Sequence, residues 1–364
     1  MEIKITVLPG DGIGPEVMAE GIKVLGAIAG KYSHKLSLDY GLIGASAIDR
    51  TGSALPEETL KMCLASKAVL LAAVGDPKYD DPAVPVHPED GLLALRKGLG
   101  VFANLRPLVV FPALVDNTTL KPEVIRGSNI LFVRELTGGL YFGKPKRRWQ
   151  TKKGRKAVDS LIYSEEEIER LLRVAFELAR SRRKKLTSVD KANVLLSSRL
   201  WREIAGEIAS EYPDVKLEHM LVDSCALKLV QTPTYFDVIA TENMFGDILT
   251  DEAAVLAGSM GMLPSASLSS VPDGSSPAFG LYEPVHGSAP AIADQNIANP
   301  IATILTVALM LRYSFGLYRE AEEIEEAIRH VLEEGYRTPD IMAPGKTEVG
   351  TREMGEFVRK EVLS

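Results

Sequence analysis

Cysteine is nearly missing from this chain: Cys63 and Cys225 are the two present in 364 residues. That excludes a disulfide framework and points to a reducing compartment. Positive charge is not in excess either. Lys and Arg number 42 against 49 Asp and Glu, a net charge of −7, so a general affinity for nucleic-acid phosphates is not expected. The five histidines are scattered without ligand spacing, which argues against zinc. No basic N-terminal segment precedes a long apolar run, so no signal peptide is expected. The most apolar later stretch, IATILTVALMLRY from Ile301, is shorter than the ~20 residues that a membrane-spanning helix takes. It reads as a buried core helix, and the chain as a soluble, cytoplasmic protein without a membrane partner.

Familiar nucleotide and nucleophile signatures are lacking as well. Residues 8–16 read LPGDGIGPE directly after the apolar run IKITV, a strand feeding a glycine-rich turn. The dinucleotide fingerprint G-x-G-x-x-G nevertheless fails in both registers, with Pro15 or Val17 where the third glycine belongs. The phosphate-cradling GxxxxGK[ST] fails because Asp340 stands where its first glycine should be, ahead of GKT at Gly345–Thr347. There is no G-x-S-x-G elbow, and neither cysteine has a catalytic context.

What is present is an ordinary soluble composition, 46% hydrophobic and 25% charged, in a chain long enough for two domains. Short apolar runs alternate with segments of helical period. In the segment after Pro15, Val17, Ile22, Val24, Leu25 and Ile28 fall on one face. AVLLAAVG is apolar throughout, as a strand covered on both faces is. Ser164 and Glu167 stand at capping-box spacing and start a helix. The alternation predicts an α/β protein with largely parallel sheets. Residues 144–156, KPKRRWQTKKGRK, hold eight basic residues and one Trp. They read as a solvated hairpin, with a nucleic-acid patch as the alternative that the overall charge opposes.

Three stretches carry chemistry. In NMFGDILTDEA, Asp247 and Asp251 lie four apart, so on a helix they share a face. Like charges at that spacing destabilise a helix unless something offsets them, and a hard divalent cation would. The alternative is a cap and an exposed acid. Lys191 in SVDKANVL follows a predicted strand and is either a general base near a metal or a surface residue. Arg96, Arg106 and Arg134 sit at strand or helix ends. They suit a substrate with several carboxylates, which guanidinium forks grip bidentately, or else they make surface salt bridges.

Taken together with Tyr141, these residues resemble the metal-dependent β-decarboxylating dehydrogenases, the isocitrate/isopropylmalate dehydrogenase family. LPGDGIGPEV, ALRKGLGVFANLRP, VRELTGGLYFG, RRKKLTSVDKANV, NMFGDILTDEA, GSMGMLPSAS, EPVHGSAPAIADQNIANP and YRTPDI follow in that family's order across nearly the whole chain. The resemblance implies a two-domain α/β fold that is not Rossmann. Residues 1–101 plus 258–364 would form a discontinuous cofactor domain. Residues 102–257 would form a dimerisation, substrate and metal domain with a projecting arm at about 137–162. It implies NAD and Mg²⁺ or Mn²⁺, the metal held by Asp223, Asp247 and Asp251. It also implies a homodimer with Lys191 and Asp223 contributed across the interface. Arg96, Arg106, Arg134 and Asp223 would hold the substrate, Lys191 would take the C2 hydroxyl proton, and Tyr141 would reprotonate the carbon that loses CO₂. The cofactor would lie against Glu283, His286, Gly287, Ser288, Ala289, Ala291, Ile292 and Asn299, with Glu89 and Asn193 near the nicotinamide.

Leu92, Leu93 and, across the dimer, Val194 would form an apolar pocket. Burying an isopropyl group is worth roughly 0.8 kcal/mol per carbon, which selects it modestly. The expected substrate is therefore (2R,3S)-3-isopropylmalate, with isocitrate, homoisocitrate and tartrate as alternatives, and the expected pathway is leucine biosynthesis. Two positions depart from the family pattern: Asp76 stands where glycine is usual, and Ala291 where a carboxylate usually meets the adenosine ribose. With no cation there to meet a 2′-phosphate, NAD is still expected over NADP.

Overall fold

The computed structural model describes residues 1–81, 83–272 and 277–364. The chain opens with β1 (Glu2–Gly10), α1 (Gly14–Lys31) and β2 (Lys35–Tyr40), then α2 (Ala45–Thr51), α3 (Glu57–Leu64), β3 (Ala68–Ala73), α4 (Pro88–Leu99) and β4 (Ala103–Val109). Next come α5 (Pro122–Ile125), β5 (Asn129–Glu135) and the pair β6 (Arg147–Thr151) and β7 (Gly154–Val158). The beat resumes with α6 (Glu165–Arg180), β8 (Lys185–Asp190), α7 (Leu196–Ala209), β9 (Lys216–Leu221), α8 (Val222–Gln231), β10 (Val238–Thr241) and α9 (Asn243–Ala254). It ends with β11 (Pro264–Leu268), β12 (Gly280–Pro284), α10 (Ile301–Phe315), α11 (Tyr318–Glu333) and α12 (Thr351–Leu363).

Local chemistry accounts for these boundaries. Ser164 accepts the Glu167 N–H while the Glu167 carboxylate accepts the Ser164 N–H, closing the capping box that starts α6. Gly100, in the left-handed region, ends α4. β3 is buried at every position, as its unbroken apolar run requires. α10 is buried almost all round, so the apolar stretch at 301–313 is a core helix. Among the described residues no helix is long and apolar enough to cross a membrane.

Among the described residues, ten strands form one sheet in the order β2-β1-β3-β12-β11-β4-β5-β10-β8-β9. The expectation of largely parallel sheets holds at the two flanks and fails at the centre. β2-β1-β3-β12 pair in parallel, as do β5-β10-β8-β9. β11 and β4 run antiparallel to their neighbours and to each other, so the two parallel blocks point opposite ways. The physical reason at β4–β5 is connectivity: residues 110–128 link the two strands through the four-residue helix α5 rather than the long packed helix of a parallel crossover. Strands from 1–101 and 258–364 make the first block and strands from 102–257 the second, with the seam between β11 and β4. The basic segment is a hairpin, β6 paired antiparallel with β7, and it is mostly exposed.

Candidate active site

The centre of the sheet presents a polar face. Register places Glu283 opposite Ser265, Ser267 opposite Asn104, and Asn104 opposite Arg134. Opposite residues share a face and so do residues two apart along a strand. Asn104, Arg106, Arg134, Ser265, Ser267 and Glu283 therefore point the same way. α4 borders this face from the first block and α9 from the second, and Arg96 and Arg106 line the cleft of 150 Å³ between the blocks.

Each arginine is held by partners. Arg106 donates to Asn104 Oδ1 (2.9 Å) and Thr250 Oγ1 (2.7 Å). Arg134 is 4% exposed. It donates twice to Asn243 Oδ1 (3.2 and 2.8 Å) and once to Asp247 Oδ1 (2.6 Å). Arg96 donates to Glu283 Oε1 at 2.5 Å, and its buried Nε has no partner among the described residues. Burial, together with the neighbouring Arg134 charge, pulls Arg106 down to about 10; burial also lowers Arg134, against the pull of Asp247. Three guanidinium groups kept together, each beside one carboxylate (Glu283, Asp251 and Asp247), form a cluster that can receive an anion.

α9 carries Asp247 and Asp251 on one face, as their spacing predicts. Asp251 lies 3.6 Å from Arg106. Tyr141 donates to Asp247 Oδ2 at 2.9 Å, and burial followed by that bond raises its hydroxyl pKa, keeping it protonated. Lys191 and Asp223 are not here. Lys191 follows β8, which is separated from β5 by β10, with Val189 and Arg134 both in register with Thr241. Two strand spacings put them about 10 Å apart. In the single chain Lys191 pairs with Asp223 instead. Among the described residues, no group of three His, Cys, Asp or Glu is placed to hold a metal ion.

The loop from β12 to α10 carries most of the residues expected to meet a dinucleotide. Ala289, Asp294 and Asn296 all have positive φ, at 38°, 61° and 57°, a strained loop that its surroundings must hold. His286 Nδ1 contacts the Gly287 carbonyl while its Nε2 is buried without a partner among the described residues, and burial lowers its pKa so that the ring stays neutral. Asn299 donates to Asp340 Oδ2 (3.0 Å) and caps α10 by accepting the Ile301 N–H. Asp340 also accepts from Ser259 and Thr338, each at 2.5 Å. Sequence reasoning missed Asp340, Asn104, Asn243 and Thr250, because nothing in single-sequence patterning marks a residue that positions another.

The opening glycines now have a physical account. The Asp11 carboxylate accepts the N–H groups of Ala45, Ser46 and Gly75 (2.8, 2.8 and 2.9 Å), and the Ile13 N–H donates to the Ser288 carbonyl at 2.8 Å. Gly12 has φ +54°, and a Cβ there would run into that same carbonyl. The turn is a buttress for the 283–300 loop. Gly12→Ala is accordingly expected to cost about 1–3 kcal/mol of stability. An unchanged denaturant midpoint would show that the turn does not bear on the loop.

The remaining expected residues divide. Glu89, Leu92, Glu283, His286 and Gly287 line the cleft. Leu93, 46% exposed, does not, and Val194 stands 65% exposed. Asn193 and Ala291 are exposed, and Ser288 is buried behind the loop. Asp76, unexplained from sequence, caps a short turn by accepting the Lys78 N–H at 2.8 Å.

The family model "Isocitrate/isopropylmalate dehydrogenase" matches residues 4–358. A 3-isopropylmalate dehydrogenase of Dehalococcoides mccartyi is 66% identical over 361 residues, covering 99% of both chains. One of Geobacillus kaustophilus is 57% identical, covering 99% of this chain and 95% of that protein. Among solved structures, isocitrate dehydrogenase from Methylococcus capsulatus superposes with a TM-score of 0.85 at 34% identity, covering 99% of each chain. A β-decarboxylating dehydrogenase from Thermococcus kodakarensis does so with 0.79 at 35% identity, covering 98% of this chain and 95% of that one.

Proposed function

This chain belongs to the isocitrate/isopropylmalate dehydrogenase family, and we propose that it oxidises (2R,3S)-3-isopropylmalate at C2 with NAD and releases CO₂. The product is 4-methyl-2-oxopentanoate, in leucine biosynthesis. The observation that carries this reading is the convergence of Arg96, Arg106 and Arg134 beside an apolar wall at Leu92. Two carboxylates and a branched hydrocarbon are what such a cleft complements.

The residues present fit both expected groups. Asp247 and Asp251 offer hard carboxylate oxygens from one helix face, and Asp223 of a second copy would complete the set for Mg²⁺ or Mn²⁺. That cation would supply Lewis acidity at the C2 oxygen. His286 Nε2, buried and unpartnered among the described residues, and the loop held open by positive-φ residues fit a dinucleotide, and NAD would accept the hydride from C2. Lys191 from the second copy takes the C2 hydroxyl proton as that hydride leaves. Arg96, Arg106 and Arg134 hold the carboxylates so that the C3–carboxylate bond breaks with the electron pair passing toward C2. Tyr141, protonated and tied to Asp247, then delivers a proton to C3.

Apolar side chains left in solvent support a homodimer. Leu227 and Val230 of α8 and Ile248 of α9 are 59%, 41% and 59% exposed, on two helices that pack against each other. A second copy covering this face by a two-fold axis would bury them. Leu227→Glu combined with Ile248→Glu is expected to give a folded monomer with at most about 1% of wild-type turnover. Full turnover from a monomer on size exclusion would end the shared-site reading.

The substrate reading is tested by nicotinamide reduction with Mg²⁺ or Mn²⁺, pairing 3-isopropylmalate, isocitrate and tartrate each with NAD and NADP. Fast turnover with 3-isopropylmalate and NAD alone is expected. Preference for isocitrate or tartrate would mean that Leu92 does not select, and preference for NADP would overturn the cofactor assignment at Ala291.

A further inference from the structure

The sheet has a second gap, on the face away from the arginines. Pro107 and Val109 of β4 pair with Leu131 and Asn129 of β5, and strand alternation turns all four away from Arg106 and Arg134. On this back face α10, with α11 packed on it, covers the first block and α6 covers the second. Between the two helical layers lies a cavity of 490 Å³, against 150 Å³ for the arginine cleft. Small-molecule sites run from about 300 to 1,000 Å³ and favour domain boundaries.

Its walls are chemically divided. Leu131 and Leu178 from the second block face Leu305 and Leu309 from the first, making an apolar body. Arg182, Arg312 and Arg329 also line it, with Glu325 the single carboxylate among the described lining residues. Arg312 is pinned by two hydrogen bonds to Glu325 (2.8 and 3.0 Å), Arg182 by one to Asp237 (2.9 Å) and two to Asn129 (3.0 and 2.8 Å), and Arg329 pairs with Glu326. The Arg182 and Arg312 guanidinium groups are thereby held in place, while Arg329 reaches solvent at the rim.

We propose that this back cavity is a binding site for a small amphipathic anion. A hydrocarbon or aromatic body lies against the leucines, with one carboxylate or sulfonate toward the arginines. Because both blocks supply walls to this cavity and to the arginine cleft, occupancy at the back and substrate at the front are coupled through the placement of the blocks. That coupling is reciprocal.

The probe is 8-anilinonaphthalene-1-sulfonate, titrated by fluorescence into the full-length protein. One saturable site per chain is expected, with a dissociation constant that shifts by about threefold or more when 3-isopropylmalate and NAD are present. Val109 is 40% exposed at the open end. Val109→Trp puts an indole there and is expected to weaken the dye about tenfold or more, while kcat stays within about twofold. Arg329→Glu, a rim change on α11, is expected to weaken it about threefold through like charge. Dye affinity unchanged in both variants overturns the site, as does simple competition between dye and 3-isopropylmalate.

Discussion

Lys191→Met and Asp247→Asn are each expected to lower kcat by about 10²–10⁴-fold, the range over which a general base contributes, and yet to rescue each other when mixed. The structure supplies the reason. Lys191 pairs with Asp223 in its own chain and stands two strands away from the Arg134–Asp247–Tyr141 cluster. If each cleft borrows its Lys191 from a second copy, a mixed dimer holds one site with both defects and one site with none. Random pairing makes half the dimers mixed, so about one quarter of wild-type turnover returns in the unfractionated mixture and about one half in the mixed dimer itself. Co-expression with two affinity tags and assay of the doubly purified species measures it directly. No recovery would mean that each chain uses its own lysine, and the shared cleft would fall.

Arg134→Met is expected to lower kcat/KM for 3-isopropylmalate by about 10³, since losing a buried, hydrogen-bonded charge partner costs about 2–5 kcal/mol and each decade is about 1.4 kcal/mol. Arg134→Lys should recover little of it, because a point charge does not replace a planar fork. The arginine has a second duty to separate from the first. Its bonds to Asn243 and Asp247 tie β5 to the start of α9, so a structural role alone would lower the melting temperature and leave KM untouched. A rise in KM for 3-isopropylmalate without a matching rise for NAD is the expected signature. Near-normal kcat/KM in a folded Arg134→Met variant would sink the carboxylate role.

Much of this was legible in the sequence, for reasons that can be named. Period and capping chemistry are local, so the Ser164 box, the unbroken apolar β3 and the buried α10 are where the residues place them. Asp247 and Asp251 needed a helix to share a face, and α9 provides it. Sheet order was not legible, because pairing β4 with β11 brings together residues more than 150 positions apart and leaves no periodic trace. For the same reason Asn104, which orients Arg106 from two residues away across the pleat, passed unnoticed. Leu92 lines the cleft while Leu93 is 46% exposed, because one step along a helix turns a side chain by about 100°.

The interleaving of the sheet also dictates an order of assembly. β3 is flanked by β1 and β12, so a strand within the first seventy-odd residues waits for one that begins at Gly280. α1 waits longer still, since α12, ending at Leu363, covers it. On a ribosome that adds roughly 5–20 residues per second, the first block spends its early life with apolar strand edges open, while the contiguous 102–257 block has all its own strands in hand. The middle of the chain is therefore positioned to fold first and the two ends last, together. A polypeptide released short of α12 would leave the face of α1 that carries Glu20 and Lys31 without its cover, and a chaperone that binds exposed apolar segments would meet this protein near β1 and α1.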